Sequence, residues 1–197
     1  MKILFIVDYY LYICTMKYIK TKIDGVIVIE PKVFFDSRGY FLETFKKEEF
    51  EQQVGKVDFV QENESKSSYG VLRGLHYQKG QYSQAKLVRV IKGRVLDIAV
   101  DIRKSSPTFG QHVAVELSDD NKLQLFIPRG FAHGFLVLSD EAIFTYQVDN
   151  VYAPQQEASI RFDDPDLAIQ WPLDASELIT SEKDRKAVCF ADAEVFD

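Results

Sequence analysis

The stretch Gly70–Gln78 reads Gly-Val-Leu-Arg-Gly-Leu-His-Tyr-Gln and places His76, one of three histidines, three residues after Arg73. Apolar Val71, Leu72 and Leu75 surround the two polar groups, and Lys86 follows at the start of the β-forming run Lys86–Ile91. An imidazole titrates near neutrality, so beside two fixed cations it suits proton abstraction from a substrate that carries negative charge. A hydrogen-bonded core histidine in a strand has the same local signature, and this stretch alone leaves both readings open.

Three more segments hold reactive groups. Pro128–Phe135 (Pro-Arg-Gly-Phe-Ala-His-Gly-Phe) sets His133 between two phenylalanines in a strand pattern. A three-histidine metal site would need His76, His112 and His133 together. Gly74–Gly93 offers no His-x-His pair and no Asp or Glu, so the spacing argues against a metal. Phe144-Thr145-Tyr146 supplies a phenol, by default an amphipathic core or rim residue. Ser181-Glu182-Lys183-Asp184 has the form of a capping box, in which the Asp184 carboxylate caps the first turn of a short helix.

The elements that must position these groups are mostly strands. Gly25–Glu30 is an apolar Val/Ile run ended by Pro31, and Asp36-Ser37-Arg38-Gly39 is turn chemistry between two aromatic strands. Lys46–Val54 carries Phe50 and Val54 at helical spacing before Gly55, which predicts a helix. Phe59-Val60-Gln61 resumes β pattern, and Glu62–Tyr69 reads as a polar loop. Leu87–Ile91 and Arg94–Asp101 flank Lys92-Gly93, a two-residue hairpin signal. His112–Leu117 and Lys122–Ile127 flank a polar turn, Phe131–Leu138 and Ala142–Val148 read as another strand pair, and Glu157–Phe162 is a last strand. Many short strands at regular spacing predict an all-β sandwich or barrel of antiparallel sheets.

Composition agrees. The chain has 197 residues, 46% hydrophobic and 27% charged, enough for one domain with a substantial core. Aromatic residues at 13% favour a β-rich interior. A formal net charge of -6 argues against nucleic acid as the main partner, yet a few local cations can still grip a small anion. Cys14 and Cys189 lie near opposite ends without metal-ligand spacing and read as free thiols, hence a cytoplasmic protein. Met1–Thr15 is apolar and aromatic, too short and too interrupted by Asp8 to span a bilayer, and Met16 opens a sequence like a fresh N-terminus. Residues 1–15 are therefore expected to be an N-terminal extension and 16–197 a single domain, with an extra edge strand as the competing reading of the extension.

Seven motifs then occur in order: Phe-x-Asp-x-Arg-Gly-x-Phe-x-Glu at 34–43, Gln-x-Asn at 61–63, Val-Leu-Arg-Gly-Leu-His-Tyr-Gln at 71–78, Lys-Leu-Val at 86–88, an Asp-Ile-Arg loop at 101–109, Ile-Pro-x-Gly-Phe-Ala-His-Gly-Phe at 127–135 and Trp-Pro at 171–172. Together they resemble the dTDP-4-dehydrorhamnose 3,5-epimerase family, from about Met16 to the C-terminal helix.

The resemblance implies a double-stranded β-helix (a cupin-like jelly roll) with short flanking helices, assembled as a homodimer with exchanged N-terminal strands. It implies epimerisation of dTDP-4-dehydro-6-deoxy-D-glucose at C3 and C5 through an enolate, with no metal and no cofactor, in dTDP-rhamnose and cell-surface polysaccharide synthesis. His76 would be the base and Asp184 its orienting partner. Tyr146 would be the acid on the opposite face, and Lys86 the cation at the enolate oxygen. Arg38, Arg73 and His133 match holders of the nucleotide diphosphate, and Glu43, Gln61, Asn63 and Glu157 match positions near nucleotide and sugar. Tyr40 fits one side of the thymine stack, but the second aromatic position reads Val151, with Tyr152 beside it. A 3- or 5-epimerase of another dTDP-4-keto-deoxysugar would keep the same His, Lys and Tyr. A non-catalytic nucleotide-sugar binding module would need neither the acid nor the histidine-orienting carboxylate.

Overall fold

Runs such as Lys86–Lys92 and Phe131–Val137 alternate β-branched or aromatic residues, and a strand's side chains point to opposite faces in turn. Two sheets can therefore bury one face each against the other. The computed structural model describes residues 16–197, so the expected extension Met1–Thr15, with Cys14, lies outside the described residues. The strands are β1 Lys17–Lys20, β2 Ile27–Glu30, β3 Val33–Asp36, β4 Gly39–Leu42, β5 Gln61–Ser68, β6 Leu72–Gln78 and β7 Lys86–Lys92. They continue with β8 Arg94–Asp101, β9 His112–Ser118, β10 Gln124–Ile127, β11 Phe131–Val137, β12 Glu141–Val148 and β13 Glu157–Ser159. One sheet runs β1-β2-β10-β7-β12-β5, the other β13-β6-β11-β8-β9, and β3-β4 form a separate hairpin. The architecture is the antiparallel jelly roll implied by the motifs.

Between the sheets lies a core built from Val88, Val90, Leu125 and Phe144 on one side and Val95, Leu117, Phe131 and Phe135 on the other. A second apolar layer covers the outer face of the five-stranded sheet, where Leu75, Tyr77, Ile98 and Val100 meet C-terminal residues including Trp171 and Phe196. The helix predicted over Lys46–Val54 forms at Lys47–Gln53 and packs Phe50 onto the outer face of the six-stranded sheet against Phe126, with ring centroids 5.3 Å apart. Among the described residues no helix is long and apolar enough to cross a membrane.

Three local expectations are corrected. Lys92-Gly93 does not close a hairpin: β7 belongs to the six-stranded sheet and β8 to the five-stranded one, so the chain crosses the sandwich there. Gly93 makes the crossing possible, since it adopts φ +81° and a Cβ would stand 2.0 Å from the Glu141 carbonyl oxygen. The runs expected to pair around residues 139–141 likewise form β11 and β12, which belong to different sheets. In both cases the core is filled only when successive strands contribute to opposite layers, a requirement that short turn signals do not carry. Glu62–Tyr69 is not a loop. Ladder pairing with β12 from Gln61↔Val148 to Ser68↔Glu141 makes it the edge strand β5. Its side chains alternate between exposed and covered, with Ser67 buried, and every covered residue is polar, so the strand forms without a hydrophobic face. The last strand is also shorter than Glu157–Phe162, ending at Ser159 before an isolated bridge from Ile160 to Val188.

One buried carboxylate fixes the loop after β8. Asp101 accepts bonds from Arg103 Nε and Nη2 (2.8 Å each) and from the hydroxyls of Ser106 and Thr108. Burial acts to raise its pKa, but these bonds outweigh burial and bring it down to about 2. A carboxylate depressed in the folded state stabilises above its unfolded pKa of about 3.9, and that contribution disappears as pH falls towards 2. Asp101→Asn is therefore expected to lower stability at pH 7 by about 2–3 kcal/mol. Denaturant titrations should show the difference shrinking below about pH 4; a constant difference across that range would refute the assignment.

Candidate active site

Alternation also explains how polar groups come to face each other inside the sandwich. Residues two apart share a face, so Lys86 continues the inward row of Val88 and Val90 on β7, and Tyr146 that of Ala142 and Phe144 on β12. On the opposite sheet His133 interrupts the row Phe131–Phe135–Val137, and Asp97 that of Val95 and Ala99. The core gives way here to a cavity of about 300 Å³ lined by Gln61, Asn63, His76, Tyr77, Gln78, Gln84, Lys86, Tyr146, Tyr152 and Glu157.

His76 comes from β6, and its Nε2 lies 2.6 Å from Asp184 Oδ1, across 108 residues of sequence. Asp184 sits in the short helix Glu182–Arg185 and is 3% exposed. The capping box is split between two roles: the Ser181 hydroxyl accepts the Asp184 backbone N–H, while the Asp184 carboxylate turns away to the imidazole. Burial acts to raise the pKa of Asp184, but the bond from His76, its charge, Ser181 and Lys183 together bring it below the ordinary value. An ionised carboxylate is an acceptor only, so Nε2 carries the proton and Nδ1 keeps the free lone pair that a base needs. The segment bearing Asp184 is docked onto the entry to β6 by Leu72 N–H to the Ile179 carbonyl (3.0 Å) and Ile179 N–H to the Gly70 carbonyl (2.8 Å).

Lys86 and Tyr146 stand on the opposite sheet from His76. Burial brings the lysine down to about 8, with the charges of Asp97 and Glu157 pulling the other way. Tyr146 is pushed above the ordinary phenol value by burial first, with the charge of Arg73 opposing and that of Glu157 adding. A phenol that stays protonated near neutrality can donate a proton. An imidazole on one wall faces a phenol and a poorly solvated ammonium on the other, an arrangement able to move a proton through an oxyanion intermediate.

His133 lies deeper. Its Nε2 is 2.9 and 3.0 Å from the two carboxylate oxygens of Asp97, and its ring stacks on Phe144. Burial lowers its pKa, with Asp97 opposing and the charges of Lys86 and His76 adding to the lowering. It is paired in register with His76, where β6 and β11 approach so closely that a Cβ on Gly74 would meet Gly134 Cα at 2.5 Å. His112 is on β9, separated from β11 by β8.

The remaining expected residues divide into two groups. Gln61, Asn63, Tyr152 and Glu157 line the cavity, Gln61 Nε2 donates to Asn63 Oδ1, and the Tyr152 hydroxyl donates to Glu157. Val151 is exposed beside Tyr152. Arg73 is exposed near the mouth, with its Nε on Ser67 Oγ at 3.0 Å. Arg38 and Tyr40 are on the β3–β4 hairpin and do not line the cavity of their own chain. Arg38 pairs with Asp36, and the Tyr40 ring lies under Lys122 Nζ. Glu43 also lies off the cavity, and its Oε1 is buried without a partner. Several residues at the site were not singled out from sequence, among them the cavity-lining Gln78 and Gln84. Lys183 bonds Glu157 at 2.6 Å and ties the Asp184 helix to β13. The fully buried Asp97 had one sequence signal, an acid in the inward row of an otherwise apolar strand.

A family model described as dTDP-4-dehydrorhamnose 3,5-epimerase matches residues 20–192. The dTDP-4-dehydrorhamnose 3,5-epimerase of Shigella flexneri is 56% identical over 182 residues, 92% of this chain and 99% of that protein. The crystal structure of the enzyme of that name from Elizabethkingia anophelis NUHP1 superposes with a TM-score of 0.87 at 53% identity, covering 90% of this chain and 97% of the other. That of dTDP-6-deoxy-D-glucose-3,5-epimerase from Legionella pneumophila Philadelphia 1, in complex with dTDP-4-keto-L-rhamnose, gives 0.88 at 50% identity, covering 91% and 95%.

The depressed pKa of Lys86 predicts a stability effect of definite sign. A lysine lowered from 10.5 to about 8 destabilises the folded state while it is charged, fully below 8 and not at all above 10.5. Lys86→Met, similar in volume and uncharged, is expected to be more stable than the native chain at pH 7 by up to ~3 kcal/mol. Denaturant melts at pH 7 and pH 10 should show the gap closing at the higher pH, and a Lys86→Met protein less stable at pH 7 would contradict the buried-charge reading.

Proposed function

The chain belongs to the dTDP-4-dehydrorhamnose 3,5-epimerase family, and we propose that it converts dTDP-4-dehydro-6-deoxy-D-glucose to dTDP-4-dehydro-L-rhamnose by inverting C3 and C5. The observation that carries the proposal is the His76–Asp184 pair facing Lys86 and Tyr146 across one cavity. The ketone at C4 acidifies the hydrogens on both neighbouring carbons. His76 Nδ1 takes one of them, and the electron pair moves onto the C4 oxygen. Lys86, poorly solvated and cationic, stabilises that oxygen in the transition state more than in the ketone. Tyr146 returns a proton from the other wall, so the carbon is inverted. The reaction is redox-neutral and uses a proton donor, a proton acceptor and a cation, all supplied by this chain.

In this reading Arg73 and the polar groups of Gln61, Asn63 and Glu157 receive the nucleotide diphosphate and sugar, and Tyr152 is an aromatic wall for the base. His133, held by Asp97, sets the electrostatics beside His76 and Lys86 and contributes to diphosphate binding from within. Arg38, Tyr40 and Glu43 act from a second copy. The β3–β4 hairpin carries Phe35 at 78% and Phe41 at 63% exposure, and β5 is an open sheet edge, so a homodimer with exchanged N-terminal strands covers both. Residues 16–197 are taken as a single domain with 1–15 as an extension, and the exposed Cys189 thiol suits a cytoplasmic enzyme.

Incubation with the 4-keto-6-deoxyglucose nucleotide in deuterated water tests the reaction. NMR is expected to show deuterium at both C3 and C5, and incorporation at one carbon only would assign a single epimerisation. His76→Asn should lower kcat about 10³-fold while dTDP still binds. Tyr146→Phe should keep exchange while net inversion falls strongly, and parallel loss of both would remove its role as the separate acid. Mixed dimers test the shared site. Combining Arg38→Ala and His76→Asn subunits should restore activity if the hairpin serves the partner's cavity, and self-sufficient subunits would show no restoration.

A further inference from the structure

Gln78 ends the Leu-His-Tyr-Gln stretch, and none of the steps above uses it. It is 5% exposed at the cavity wall, two residues beyond His76 on β6. A buried amide is destabilising unless its donors and acceptor are matched, so where its bonds go shows what it holds. Nε2 donates to the Tyr82 carbonyl (2.9 Å) and the Val151 carbonyl (3.1 Å), and Oε1 accepts the Ala153 N–H (2.6 Å). Two of the three bonds thus grip the backbone on either side of Tyr152. The same two loops are stitched again by Gln84 Nε2 to the Asn150 carbonyl (2.8 Å) and Asn150 Nδ2 to the Gln81 carbonyl (2.9 Å).

Tyr152 needs such support. Its ring is 54% exposed at the cavity mouth, and its hydroxyl bonds Glu157. The loop that carries it lies outside both sheets, whereas His76, Lys86 and Tyr146 sit on paired strands.

We infer that Gln78 is a positioning residue that presets Tyr152 as a rigid wall for the planar base of the nucleotide. The inference rests on the proposed nucleotide-sugar function of this cavity. A preset loop binds without first being ordered, so the brace acts on affinity. It leaves the chemical step alone because the proton-transferring groups are held by the sheets.

The test is a double-mutant cycle on Gln78→Leu, Tyr152→Ala and the double variant, read by calorimetry with dTDP and by steady-state kinetics. Gln78→Leu and Tyr152→Ala are each expected to weaken dTDP about tenfold, with KM rising in step and kcat within about twofold of the native value. The double variant should bind no more weakly than Tyr152→Ala, because a brace has no further effect once its ring is gone. Gln78→Glu keeps the shape and the acceptor for Ala153 but loses both donors, and should show the same pattern should Gln78→Leu fold poorly. Additive losses, about a hundredfold in the double variant, would overturn the inference, as would a fall in kcat with KM unchanged. Failure of the native protein to bind dTDP would instead overturn the nucleotide-sugar reading. Tight binding by Tyr152→Ala alone would remove Tyr152 from the site, and with it the brace.

Discussion

Burying charge inside a two-sheet core is the constraint on which this molecule turns. Desolvation of an isolated ammonium or carboxylate is far more unfavourable than any single packing contact is favourable, so such groups survive only where partners compensate. The interior answers with a small alternating set: His76 with Asp184, His133 with Asp97, and Lys86 within reach of the charges of Asp97 and Glu157. The compensation for Lys86 is incomplete, which is why its pKa falls to about 8. An incompletely solvated cation is what a developing oxyanion can use, because nothing has to be rearranged to receive it.

The carboxylate that pairs with His76 comes from a different part of the chain. Asp184 reaches His76 because Ile179 hydrogen-bonds to the entry of β6 and Ser181 caps the start of the following helix with its own hydroxyl. Were Asp184 also to cap that helix, its oxygen would be shared and the imidazole less firmly oriented. The division of the capping box between a serine and an aspartate lets a structural motif deliver a buried carboxylate to the imidazole. Lys183, bonded to Glu157, anchors the same helix to the cavity rim from the other side.

Much of this was legible in the residues, and what was not has identifiable causes. The β-class, the helix at Lys47–Gln53 and the turn at Ser37-Arg38 follow from side-chain patterning and turn chemistry, which are local. Strand partners are not local: Lys92-Gly93 has the composition of a hairpin but serves as a crossing between layers, and β5 pairs along its full length with no apolar face to announce it. Within the site, His76 and Lys86 stood out because reactive groups sat in apolar runs, whereas Tyr146 was singled out by the family resemblance alone. Asp97 did not stand out, since a buried acid in a strand has no meaning until the histidine opposite it is known. Arg38, Tyr40 and Glu43 are a different matter. They do not line the cavity of their own chain, and no pattern within one chain encodes whether a second copy brings them to one.

Whether one carbon or two is inverted was never legible in residue types, and the geometry explains why. C3 and C5 flank the same carbonyl carbon, so loss of either hydrogen places the charge on the same oxygen. One cation therefore serves both steps, and one base and one acid on facing walls serve both if the ring can pivot about that oxygen between them. The protein's choice then lies in how much movement the walls allow the sugar. The cavity of about 300 Å³ is lined by Asn63 and Glu157 beside His76, Lys86 and Tyr146, and the room between these walls bounds how far a sugar can turn. His76, Lys86 and Tyr146 are fixed on paired strands, so a second inversion depends on movement of the sugar and not of these groups.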